Sequence, residues 1–172
     1  ESDDGVVWRK PELGLCEFDG SRRNNIVLDS SAGPEGLIDD LTVIDDAQDA
    51  QWPLKMLYWQ PGGIHVARSA DGIRWDRSPG NVLPGWGDRF NALPSRHAGE
   101  YVLYGRAPVR DGGQGRRVWR TASTDLRAWS EPELVLCADS RDPEGFQINS
   151  MPVDLYEGLY LGLVEDFGIK TD

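Results

Sequence analysis

Apolar side chains come in short bursts along this chain. Leu54-Lys55-Met56-Leu57-Tyr58-Trp59, Ile64-His65-Val66-Ala67, Tyr101-Val102-Leu103-Tyr104 and Leu159-Tyr160-Leu161-Gly162-Leu163-Val164 are compact aromatic or aliphatic runs. Each is bounded by Gly, Pro, Asp or Asn, and short runs between turn formers predict strands. No window sustains an apolar stripe at helical spacing, so helices should be few. The 20 Gly and 11 Pro suit a chain that turns often.

A phrase of the form Ser-x-Asp-(Gly/Leu)-x-x-Trp occurs at Ser2 to Trp8, at Ser69 to Trp75 and at Ser123 to Trp129, so the copies start 67 and then 54 residues apart. The outer copies continue alike, as Pro11-Glu12-Leu13-Gly14-Leu15-Cys16 and Pro132-Glu133-Leu134-Val135-Leu136-Cys137. Self-similarity at such a period predicts a stacked or radial array. The Asp can accept backbone N–H bonds across a tight turn, and the Gly beside it can take positive φ. The phrase is therefore expected to build the fold, with its Trp packed between sheets.

Each unit holds the same parts in order. An inner segment opens it (Asp40-Leu41-Thr42-Val43, Asn91-Ala92-Leu93-Pro94, Asn149-Ser150-Met151-Pro152), and a turn and an aromatic strand follow. A third strand leads into the Ser-x-Asp phrase, and a fourth follows the Trp. Four short antiparallel strands per unit make a β-propeller blade. The expected division is a blade remnant over 1–36, blades over 37–86 and 87–140, and a partial blade over 141–172. Eight extra residues between Tyr104 and Ser123, relative to Tyr58 and Ser69, fall in a loop over 107–115.

The bulk numbers narrow the partners. Net charge is −11, and the basic cluster from Arg106 to Arg120 is interrupted by Asp111 and two glycines. Phosphate neutralisation needs clustered cations, so no nucleic acid is expected as a partner. No apolar run is long enough to span a membrane, and none is expected as a partner. The chain opens inside a repeat, without Met or a signal-peptide pattern, and reads as an internal excerpt of a longer protein. Cys16 and Cys137 hold equivalent places in different units, too far apart for a disulfide, and are expected as buried thiols. His65 and His97 lack metal-ligand spacing, and no phosphate loop is present, so no cofactor is expected.

Trp8-Arg9-Lys10-Pro11-Glu12-Leu13-Gly14-Leu15, followed by Asp19-Gly20-Ser21-Arg22-Arg23-Asn24-Asn25-Ile26-Val27, resembles a phrase in five-bladed propeller proteins related to the invertase, levansucrase and arabinanase glycosidases. Gly99-Glu100-Tyr101-Val102-Leu103-Tyr104-Gly105-Arg106 and Glu157-Gly158-Leu159-Tyr160-Leu161-Gly162 are similar to successive blades of that group. The resemblance implies an all-β fold, a partial β-propeller with about three blades of an expected five. It implies a carbohydrate partner, oligo- or polysaccharide, and a glycoside hydrolase or glycosyl-transferring activity in the central depression. The alternative is a non-catalytic glycan-binding or structural propeller module. An open arc exposes sheet edges, so self-association is a further expectation. The sequence departs from the glycosidases in lacking their Trp-x-Asn-Asp-Pro phrase, and Arg141-Asp142-Pro143 matches their second motif by letter but precedes its inner segment.

Glycoside hydrolysis needs two carboxyl groups about 5–9.5 Å apart, one protonated and one ionised. Groups near inner strands and adjoining loops are the candidates: Asp39 and Asp40, Asp88, Glu144 and Glu165. Asp40 or Asp39 is read as base or nucleophile, Asp88 as the group that orients it, and Glu144 or Glu165 as the acid. Asn91 and Asn149 are taken as equivalent, either binding sugar or tying blades together. Trp86, between two glycines, is read as a stacking platform, and Arg89 as a ligand for a hydroxyl or a carboxylate.

Overall fold

The computed structural model describes residues 1–29, 37–95, 97, 99–108 and 115–168. Among them every regular element is a strand and every strand pair is antiparallel. The first sheet comprises β1 (Asp39–Asp45), β2 (Leu54–Gln60), β3 (Gly63–Ser69) and β4 (Asp76–Arg77), in chain order. The short β5 (Leu83–Pro84) pairs with the other end of β3. A glycine is required there, because a Cβ on Gly63 would sit 2.3 Å from the Leu83 carbonyl oxygen. The second sheet runs β6 (Phe90–Pro94), β7 (Tyr101–Gly105), β8 (Val118–Ser123) and β9 (Glu133–Leu136), also in order.

The third unit is a long interrupted hairpin. Its outward arm is β10 (Phe146–Ser150) and β11 (Val153–Tyr156); its return arm is β12 (Leu159–Gly162) and β13 (Glu165–Gly168). β11 pairs with β12, and β10 with β13. Glu157 and Gly158 join the arms, both at positive φ (49° and 77°), as a tight two-residue hairpin turn demands. Met151 and Pro152 interrupt the outward arm, since proline lacks the N–H a ladder needs; its carbonyl still accepts from Leu163 N–H at 2.9 Å. The inner segment expected at 149–152 therefore straddles two strands. Likewise the single run expected over 159–164 ends at Gly162, and the chain resumes as β13.

Residue alternation assigns the two faces of each central strand to different layers. On β2, Leu57 joins a cluster with Ile44, Ile64, Trp86, Phe90 and Leu103 between the first two sheets, while Met56 and Tyr58 face Leu28 and Trp75. On β7, Leu103 enters the first cluster, and Val102 and Tyr104 enter a second with Val118, Ile148 and Val153 beneath the hairpin. Burial on both faces explains why these strands read as continuous apolar runs.

The inner strands meet side by side. Thr42 Oγ1 on β1 donates to the Ala92 carbonyl on β6 at 3.2 Å. Asn91 on β6 donates from Nδ2 to the Val153 carbonyl at 2.8 Å and accepts from Val153 N–H at 3.0 Å. These bonds hold the inner strands of successive units together. Asn91 thus ties β6 to β11, whereas Asn149 accepts from Arg116. Truncating Asn91 to Ala leaves both polar groups of the buried Val153 backbone without their partners. The expected cost is about 2 kcal/mol of stability in urea unfolding, with Asn91→Gln failing to restore it because its longer arm displaces the amide.

The repeated phrase folds identically at all three sites. Its Asp accepts two backbone N–H bonds, from Val6 and Val7 (2.8 and 2.9 Å), from Ile73 and Arg74 (2.8 and 2.7 Å), and from Arg127 and Ala128 (both 2.8 Å). Those bonds hold the Asp71 carboxyl down at about 2, with Asp4 and Asp125 lowered for the same reason. The fourth position takes positive φ in each copy, as Gly5, Gly72 and Leu126. Leu126 adopts it despite its Cβ because its side chain is buried in the first cluster. Trp75 and Trp129 pack on core clusters, whereas Trp8 is largely exposed.

Residues 1–29 contain one isolated bridge, Phe18 with Ser21, and no longer strand. Residues 30–36 of the expected remnant lie outside the described residues, as do 109–114 of the expected insertion. The connection carrying that insertion joins β7 to β8, the place where β2 turns directly into β3. Neither cysteine matches the expected buried thiol: Cys16 is half-buried and Cys137 exposed, and both are free.

Candidate functional site

A cleft of about 320 Å³ opens where the starts of β1, β6 and β13 converge with the end of β10. Asp40, Arg89, Asn91, Asn149 and Glu165 line it, and the β7–β8 connection adds Arg106 and Arg117 at its two ends. Five of the nine residues singled out from sequence thus share one cavity.

Asp40 reaches the cleft through a distortion of β1. Asp39 pairs with Trp59 and Leu41 with Tyr58, so Asp40 is the extra residue of a β-bulge. Its φ is +33°, unusual for a residue with a side chain. Bulges re-aim side chains, and strained backbone of this kind clusters at functional sites. Burial raises the Asp40 carboxyl above its ordinary value of 3.8, against the opposing pull of the Phe90 backbone and the Arg89 charge. A second register shift, between Ile148 and Ser150, accompanies Glu165 on the partner strand. Glu165 accepts a hydrogen bond from Ser150 Oγ at 2.6 Å. That bond, then one from Asn149, then the Arg89 and Arg106 charges lower the Glu165 carboxyl from 4.5, with burial opposing them. Two carboxyl groups on one cleft are therefore pushed in opposite directions.

Asn149 is buried, and its Oδ1 accepts from Arg116, whose guanidinium lies 4.4 Å from the Phe167 ring centroid. Asp88 is not among the lining residues and forms an ion pair with Arg106. Burial lowers the Arg106 pKa, and the Asp88 charge opposes that shift. Asp39 is exposed, and its carboxylate accepts the Asp40 N–H at 2.8 Å. Glu144 is exposed in its Pro-Glu-Gly turn, outside the cleft. The Arg141-Asp142-Pro143 triplet is a local turn: Arg141 pairs with Asp139, and Asp142 accepts the Asp139 N–H at 2.8 Å.

Trp86 departs from expectation. It is 4% exposed and forms part of the core between the first two sheets, so its ring offers no stacking face. Its small neighbours serve close packing instead: a Cβ on Gly85 would meet Pro108 Cγ at 3.1 Å, and one on Gly87 would meet Arg106 Cβ at 3.1 Å. His65 stacks on Tyr58 with ring centroids 5.5 Å apart, as a structural histidine does. Among the described residues no His, Cys, Asp and Glu group could hold a metal ion, and no helix is long and apolar enough to cross a membrane.

Sequence reasoning missed Arg106, Arg117 and the Ser150 hydroxyl. The basic cluster after Tyr104 was the available signal for the arginines, because it flanks an insertion in a strand connection, and such loops are where sites are built.

No family description and no curated protein matches this chain. A solved structure of a BT0996 RGII complex is similar, with a TM-score of 0.52 and 19% identity over 76% of this chain and 42% of that one. The chain thus spans less than half the length of that structure. What the likeness shows is a shared all-β fold.

Proposed function

We propose that this chain is a carbohydrate-active protein that breaks or transfers a glycosyl bond in the cleft between Asp40 and Glu165. One observation carries the reading: two carboxyl groups line a single cavity, with burial raising the Asp40 pKa and the Ser150 hydrogen bond lowering that of Glu165. Carboxyls held apart in this way are how one site supplies an acid and a base at the same pH. Asp40 donates the proton to the departing glycosidic oxygen. Glu165, fixed by Ser150, acts as nucleophile or activates water. This reverses the roles expected from sequence and leaves Asp39 and Glu144 without a part. Asp88 positions Arg106.

The three units are, in this reading, consecutive blades of a five-bladed propeller, with the site at the central depression. The apolar side chains exposed on the last hairpin, Leu159, Leu161, Leu163 and Val164, suit the face that the next blade covers. A carbohydrate-related structural neighbour supports the substrate class.

The test is a screen of the full-length protein against aryl glycosides and plant and bacterial oligosaccharides, read by reducing-end release and by calorimetry. Release of sugar is expected. Binding without release would replace the enzyme reading with that of a glycan-binding module, and neither would remove both.

A further inference from the structure

Beyond catalysis, the cleft holds arginine donors that no acceptor among the described residues uses. The chain carries a net charge of −11, yet Arg89 and Arg106 line the cavity that holds Asp40 and Glu165. Arg106 is engaged by Asp88, but its Nε is buried without a hydrogen-bond partner among the described residues. Arg89 is exposed at the rim and makes no hydrogen bond or ion pair with another described residue. Its charge nevertheless reaches both Asp40 and Glu165. A planar fork of donors beside a cleft, with its donors unused, matches the geometry of a carboxylate, which accepts two parallel N–H bonds. A neutral sugar would give the Arg89 guanidinium no countercharge, and a buried donor left without an acceptor, such as Arg106 Nε, is costly.

We propose that the glycan unit held in this cleft is a uronate, its carboxylate bound by Arg89 with Arg106 behind it. This rests on the glycan reading of the cleft and specifies its ligand. Bound carboxylate also places negative charge near Asp40, which strengthens retention of its proton. Arg89 is a specificity-determining residue here and takes no part in proton transfer.

The experiment is calorimetric titration of the full chain with oligomers of galacturonate, glucuronate and mannuronate. Each is paired with the same oligomer after its carboxylates are reduced to hydroxymethyl groups. One acidic oligomer is expected to bind about tenfold or more tighter than its reduced form, as a charge-assisted hydrogen bond implies. Raising salt should narrow the gap. Arg89→Gln, at an exposed position, should leave the circular dichroism spectrum unchanged and bring the two forms to within about twofold of each other. Equal binding of acidic and reduced oligomers by the wild type overturns the uronate inference and leaves the glycan reading in place. A preference that survives Arg89→Gln overturns the assignment to Arg89. Absence of binding by every oligomer removes both.

Discussion

Asp40→Asn and Glu165→Gln should each lower turnover of a cleaved glycoside by about 10²–10⁴-fold, the usual contribution of a positioned acid or base. The two variants should part company in stability. Folding raises the Asp40 pKa, so the protonated form is favoured in the native state. Its relative stabilisation is fully present below 3.8 and is lost as pH rises through the folded value, which leaves a half-buried ionised carboxylate at neutral pH. An amide has no such charge, so Asp40→Asn should melt at or above the wild-type temperature at neutral pH and lose that advantage in acid. Folding lowers the Glu165 pKa, so its stabilisation is present above 4.5 and is lost as pH falls through the folded value. Glu165→Gln should therefore melt slightly below wild type at neutral pH. Thermal melts at neutral and acid pH beside the rate assay check both signs. A stabilised but inactive Asp40→Asn is the pattern expected of a residue kept for chemistry at a cost to the fold.

The largest stability effect belongs to Trp86. Trp86→Ala should destabilise the protein by about 3–5 kcal/mol, as truncation of a core aromatic does. The indole sits in the layer between the first two sheets, 4% exposed, against Leu103 and its neighbours. Its carbonyl also accepts Trp59 Nε1–H at 2.8 Å, so collapse around the cavity would disturb a second ring. Trp86→Phe should recover a large part of the loss, because it refills the layer. Urea unfolding of the two variants measures this. A stacking platform would behave oppositely, with sugar affinity falling and the midpoint unmoved. Activity should fall in Trp86→Ala as well, since Gly87 packs on Arg106, which is part of the cleft wall.

Much of the fold was legible because its signals are local. The Ser-x-Asp turn is closed by side-chain bonds within four residues, so its sequence states its geometry. The aromatic runs at 54–59 and 101–104 became β2 and β7, since strands buried on both faces read as unbroken apolar runs. The third unit was misread because Pro152 splits an arm that otherwise looks like one inner strand. Spacing alone could not show that Asn91 ties β6 to β11, because that contact joins strands far apart in sequence.

The site was half legible for the same reason. Asp40, Arg89 and Glu165 were named from their places beside strands, yet their convergence depends on bulges in β1 and β10. Trp86 was misjudged because glycines flanking a ring fit two opposite arrangements, an open face or a backbone pressed against its neighbours. Arg106 and Arg117 were visible as charge, but only the pairing of β7 with β8 brings both to the cleft that holds the carboxyls.

The most direct test of the paired-carboxyl account is the pH dependence of kcat/KM for wild type, Asp40→Asn and Glu165→Gln on one substrate. The wild type should give a bell, its acid limb set by ionisation of Glu165 and its alkaline limb by loss of the Asp40 proton. The residual activity of Glu165→Gln should lack the acid limb, and that of Asp40→Asn the alkaline limb. A bell that keeps both limbs in both variants would contradict the account and move the chemistry to other residues.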